Sequence, residues 1–277
     1  MKRVYRYSLS CLKIGTGCPP HTDHDGFTLI ELLTVMSIMI LMLALLVPSL
    51  TGIKGANDLT KAAYEIAGVV DQARAFAIAN NTYVYLGFAE VDVNNTQIYD
   101  VTKTQLSGTG RVVMAVVATK DGMRNYDPAN AANTWKQSYG TTGANLLAVG
   151  KLYVFENLHL ADSLGTPPSS GAMARQTVDD THRVGHAKFA SLTPFAWPLG
   201  KNIGSGQYNF TKVIRINPQG SVLLEYKNNS GPYQWLEIGL QPTRGSLAPP
   251  APSNPNVGSH VAIVINGVTG GTSMYRP

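Results

Sequence analysis

The sequence predicts an α+β protein in which a long N-terminal helix, membrane-spanning in its first half, packs on an antiparallel β-sheet. Three observations lead to this prediction. Residues 27–50 form an apolar run, residues 57–81 repeat apolar side chains at helical spacing, and the remainder holds short β-branched and aromatic segments bounded by Gly, Asn and Pro. A chain of 277 residues is long enough for an anchor and one sizeable domain.

The apolar run has the length and flanks of a membrane span. Of its 24 residues, 18 are apolar and Glu31 is the only charged one. A helix of that length would extend about 36 Å, whereas the hydrocarbon core is about 30 Å thick. Four basic residues precede the run, so its N-terminus is expected in the cytoplasm.

Two ordinary interpretations of the run leave Glu31 unexplained. A cleaved secretory signal peptide would have an apolar region of roughly 7–15 residues followed by small residues, and "LLVPSLTG" at 45–52 does not fit that pattern. An uncleaved single-span anchor fits the length. Neither gives a reason for an acidic residue near the start of the helix.

A third interpretation comes from the motif "G-F-T-L-I-E" at 26–31, followed by the apolar helix. It resembles the type IV prepilin signature of pilins and type II secretion pseudopilins. The resemblance implies that a prepilin peptidase cuts between Gly26 and Phe27, that Phe27 is N-methylated, and that the helix becomes part of a filament core. Glu31 matches the family's glutamate at the fifth mature position. Pro48 falls where many type IV pilins carry a helix-bending proline.

The chemistry of these residues agrees with that role. Gly26 has no side chain, so its backbone can extend into a protease. The residue before it departs from the family pattern, since Asp25 stands where the family often has a basic or neutral polar residue. Cleavage would create an α-amino group about one helical turn from Glu31. Pairing between Glu31 and this amine, or that of a neighbouring subunit, would fix the axial register, because an unpaired buried charge is strongly penalised.

The chain is therefore expected to contain a prepilin leader at 1–26, a transmembrane and filament-core helix at 27–50, an amphipathic half-helix at 51–81 and a β-rich periplasmic domain with long loops at 82–277. The resemblance implies a bacterial inner-membrane protein with a cytoplasmic N-terminus, found in a filament after assembly. The implied partners are the prepilin peptidase, other pseudopilins, the inner membrane and its assembly platform. No cofactor is expected, and nucleic acid is not the expected partner.

The segments after the apolar run specify a helix and nine strands. Asn57 or Asp58 is predicted to cap the amphipathic helix and Asn80-Asn81 to end it. Its predicted buried face is Leu59, Ala62, Ala63, Ile66, Val69, Val70, Ala73, Phe76 and Ala77. The predicted strands are 82–92, 97–102, 111–119, 146–155, 212–218, 221–227, 233–240, 260–267 and 273–277.

Three stretches of this domain are similar to H-type minor pseudopilins and fimbrial minor pilins. They are "VVDQARAFAIANN" with the strand after it, "VIRINPQG" at 213–220, and the last strands from 260. The implied function is that of a minor pseudopilin, a structural subunit that assembles by its N-terminal helix into a type II secretion or type IV pilus-like filament. The implied domain is pilin-like.

Catalytic or metal chemistry finds little support in the sequence. No G-x-S-x-G, H-E-x-x-H or phosphate-loop motif occurs, so an enzyme is not expected. Asp180, His182 and His186 are close together and could bind a metal, but Gly185 favours a solvated loop. No carboxylate ladder for calcium appears. We therefore predict no metal site.

The alternative function is a DNA-binding minor pilin of a DNA-uptake or adhesion pilus, with Lys227, Arg244 and Arg276 as candidate contacts. The net charge is +5, and residues 1–26 contribute +2 of it. So small an excess, without a dense basic stripe, does not by itself indicate nucleic-acid binding.

Overall fold

The structure, a computed structural model, describes residues 28–124, 145–189, 191, 193–224 and 234–277, with residues 45–57 described by their backbone alone. The chain divides into two compact units, Met1–Pro48 and Ser49–Pro277. The elements are α1 (Leu29–Ala79), β1 (Val84–Asp92), β2 (Gly110–Thr119), β3 (Leu146–Ala148), β4 (Tyr153–Leu160), a 3-10 turn (Asp180–His182), β5 (Phe195–Trp197), β6 (Tyr208–Phe210), β7 (Lys212–Ile216), β8 (Val222–Leu223), β9 (Trp235–Pro242), β10 (Val261–Asn266) and β11 (Thr272–Tyr275).

Helix α1 is 51 residues long, and the predicted apolar face of its second part is confirmed. Eight of the nine predicted residues are buried, and Phe76 is partly buried against the same core. The predicted end is also confirmed, since Asn81 takes a left-handed φ of 48° and Asn80 donates its backbone N–H to the Phe76 carbonyl. The predicted cap at Asn57 or Asp58 is wrong, because α1 continues through both residues.

The second unit is built on one nine-stranded sheet in which every pairing is antiparallel. The strand order is β11-β10-β9-β4-β2-β1-β7-β8, and β3 pairs with the far end of β2. A separate two-stranded sheet consists of β5 and β6.

Strands β1 and β2 are buried along most of their length because apolar side chains cover both faces of the sheet. On β1, Val84, Leu86 and Phe88 belong to the core cluster that includes the buried face of α1. The alternate residue Tyr85 belongs to a second cluster with Phe195 and other residues of the β5–β6 hairpin. A one-residue shift in register would exchange these two sets, so the alternation fixes the pairing.

Three predicted strands differ from the structure. The strand predicted at 221–227 is limited to β8 (Val222–Leu223) among the described residues, and residues 225–227 lie outside them. Residues 97–102 form turns, in which the Asp100 carboxylate accepts from both the backbone N–H and the hydroxyl of Thr102 at 2.9 and 2.6 Å. The predicted strand at 146–155 is divided into β3 and β4, because Gly150 takes a φ of 85° between them.

The predicted fold class needs correction. Among the described residues, α1 and the 3-10 turn account for about a fifth of the chain's length, and the structure is mostly β, with one large antiparallel sheet as its main element. Over the residues with described side chains, no helix is both long and apolar enough to cross a membrane. The predicted membrane-spanning half of the helix at 27–50 is therefore contradicted, and so is the single-pass inner-membrane location with a periplasmic domain.

Candidate assembly interface

The first turn of α1 contains a reciprocal hydrogen-bonded cap between Thr28 and Glu31. The backbone N–H and the hydroxyl of Thr28 both donate to Glu31 Oε2, at 2.9 and 2.8 Å. In return, the Glu31 N–H donates to Thr28 Oγ1 at 3.3 Å. This is the capping-box arrangement, in which an N-cap Thr and a Glu three residues later satisfy each other's backbone N–H groups.

The same bonds keep the Glu31 carboxylate ionised. The backbone N–H of Thr28, followed by its hydroxyl, lowers the pKa of Glu31 below the usual value for a glutamate. The position also favours a negative charge, because the N-terminus of a helix carries a partial positive charge. No ion pair joins Glu31 to a cation within the part of the chain that the structure describes.

Beyond the cap, the described helix of the first unit exposes an apolar surface on all sides. Two hydroxyls interrupt it, and both are turned into the helix: Thr34 donates to the Glu31 carbonyl at 2.9 Å and Ser37 to the Leu33 carbonyl at 2.8 Å. Twelve large apolar side chains are each at least 51% exposed: Leu29, Ile30, Leu32, Leu33, Val35, Met36, Ile38, Met39, Ile40, Leu41, Met42 and Leu43. We call residues 28–43 the exposed helix.

The other predicted processing and assembly residues are not all described. Gly26 and Phe27, the predicted cleavage pair, lie outside the described residues. The backbone of Pro48 lies within α1, while its side chain is outside the described part. Of the predicted site residues, Glu31 is therefore the one with side-chain contacts among the described residues.

The candidate metal ligands do not form a metal site. His186 lies 3.6 Å from Asp180 and 3.8 Å from Asp162, measured from its Nε2 to a carboxylate oxygen. However, its Nδ1 accepts the backbone N–H of Lys188, so in the neutral ring Nε2 carries the proton and cannot bind a metal. Lys188 Nζ already lies 2.9 Å from Asp180. Across the described residues, no group of three or more potential ligands is arranged to hold a metal ion.

His182 is the third residue that the sequence offered as a candidate metal ligand. Burial lowers the pKa of His182, and the nearby Asp179 carboxylate only partly opposes this effect. His182 therefore favours its neutral form within the 3-10 turn. Asp179 caps this turn by accepting the Thr181 N–H, which explains why the sequence folds tightly here.

Two of the three candidate DNA contacts, Arg244 and Arg276, lie among the described residues. Arg276 donates to the Thr60 hydroxyl on α1 at 2.7 Å, which ties the C-terminus of the chain to the helix. Arg244 lies in a tight turn after β9, bridged to Leu247. Lys227 lies outside the described residues.

A buried charge cluster on β9 was missed by the sequence reasoning. The Glu237 carboxylate lies 2.7 Å from Arg175 Nε, and the two side chains are 2% and 0% exposed. Arg183 Nε lies 3.6 Å from the other oxygen of Glu237, and the Val184 N–H donates to the Glu237 carbonyl at 2.9 Å. The long segment after β4 is thus bonded to the middle of the sheet. The sequence signal for this cluster is Glu237, the single acidic residue in the otherwise apolar segment "WLEIGL".

Comparison with protein-family models, with curated proteins and with solved structures found no match for this chain.

Proposed function

We propose that this chain is a minor pseudopilin, a structural subunit that assembles by its N-terminal helix into a type II secretion or type IV pilus-like filament. It would have no reaction of its own. The observation that carries the proposal is the exposed helix, a continuous apolar surface that begins at an ionised, capped glutamate. The order of Gly26, Phe27 and Glu31 ahead of that surface supports the same role.

The distribution of the apolar side chains favours a bundle of helices over a flat partner. Burying one large apolar side chain contributes about 1.5–3 kcal/mol, so twelve exposed ones leave a large driving force for association. A helix that is apolar all round is stable when other groups surround it. A flat surface would cover one side of the exposed helix, whereas neighbouring helices in a filament would cover every side.

Cleavage supplies the first test of this proposal. Co-expression with a prepilin peptidase is expected to yield a chain that begins at N-methylated Phe27, as read by mass spectrometry of the intact protein. A Gly26→Asp variant is the control and is expected to remain uncut. An intact Met1 in the wild-type chain would contradict the prepilin assignment.

Assembly supplies the second test, and two matched variants separate the two roles of Glu31. Glu31→Gln keeps an oxygen that can accept from Thr28 but removes the charge. Thr28→Val removes the hydroxyl of the cap but keeps the charge. If Glu31 pairs with a neighbour's amine, the sheared filament fraction should fall by about tenfold or more for Glu31→Gln and only slightly for Thr28→Val.

The measurement compares filament fractions at equal protein abundance and equal N-terminal processing. Equal assembly of Glu31→Gln and wild type would refute the pairing role while leaving the filament proposal standing. Absence of filaments from the wild-type chain, in cells that assemble other pseudopilins, would refute the proposed function itself.

A further inference from the structure

We draw no further inference here: the strongest candidate, the exposed apolar patch of Tyr99, Val101 and Leu106 on the loop between β1 and β2, is held in place by the buried side chains of Gln105 and Gln207, but nothing in the structure shows what covers it.

Discussion

Replacing Arg175 by methionine should destabilise the second unit strongly. The change removes the cation that lies 2.7 Å from Glu237 and leaves that carboxylate in a site where it is 2% exposed. Breaking a buried ion pair from one side costs about 3–5 kcal/mol, because the remaining charge stays desolvated. Arg183 lies 3.6 Å away and stays in place, so we expect a loss near 3 kcal/mol.

The assay is urea unfolding of the purified protein, followed by far-UV circular dichroism. With a denaturant slope of about 2–3 kcal/mol per molar, a loss near 3 kcal/mol lowers the midpoint by about 1–1.5 M. The matched control is Glu156→Gln in the Arg111–Glu156 pair. That pair has the same 2.7 Å separation and Arg111 is 5% exposed, but Arg111 also donates to the carbonyls of Asp92, Val93 and Asn95, and Glu156 is 43% exposed. The cation left by Glu156→Gln therefore keeps hydrogen-bond partners, and the expected loss is about 1 kcal/mol.

A double variant tests whether the effect belongs to the pair. Arg175→Met combined with Glu237→Leu removes both charges and replaces them with apolar groups, which is often nearly neutral for a buried pair. The combined loss should therefore be smaller than the sum of the two single losses by about 1–3 kcal/mol. Additive losses, or a loss in Arg175→Met no larger than that in Glu156→Gln, would refute the reasoning.

Two further predictions concern the same unit. Gly185→Ala should lower the free energy of unfolding by about 1–3 kcal/mol, which is typical of overpacking, because a Cβ at Gly185 would lie only 2.0 Å from the Ala161 carbonyl oxygen. An unchanged midpoint in the same urea assay would contradict this prediction. Burial lowers the pKa values of His182 and His260 in the folded chain. Below about pH 6.5 the unfolded chain therefore binds more protons than the folded chain. The free energy of unfolding should fall as the pH drops through that value toward each folded pKa. His182→Gln and His260→Gln should each flatten that slope, and an unaltered slope in both variants would show that other groups cause it.

The sequence predicts those parts of the fold that depend on local spacing. The burial of one face of the helix over residues 59–77 follows from apolar residues at three- and four-residue intervals. Strands β1, β2, β9 and β10 follow from β-branched and aromatic segments. The sequence could also have predicted the break between β3 and β4, because Gly150 interrupts an apolar segment and a glycine inside a strand often marks an irregularity.

The buried charge cluster depends on contacts that no local pattern encodes. Arg175 and Glu237 are 62 residues apart, and the segment bearing Arg175 reads as a solvated loop because it contains many Gly, Ser and Pro residues. Only the folded sheet reveals that this segment covers β9 and supplies a cation to the one acid within that strand. For the same reason the sequence does not predict the hydrogen bond between Arg276 and Thr60, which lie 216 residues apart.

The Glu31 cap changes how that residue should be interpreted. Sequence reasoning assigned its charge to a partner amine, although "T-L-I-E" at 28–31 also has the spacing of a capping box. The two roles are compatible at the level of atoms. Both Thr28 donors reach Oε2, and no described residue donates to Oε1. Within the described residues the cap therefore favours the ionised carboxylate and engages one of its two oxygens, which is compatible with the proposed pairing to an amine of a neighbouring subunit.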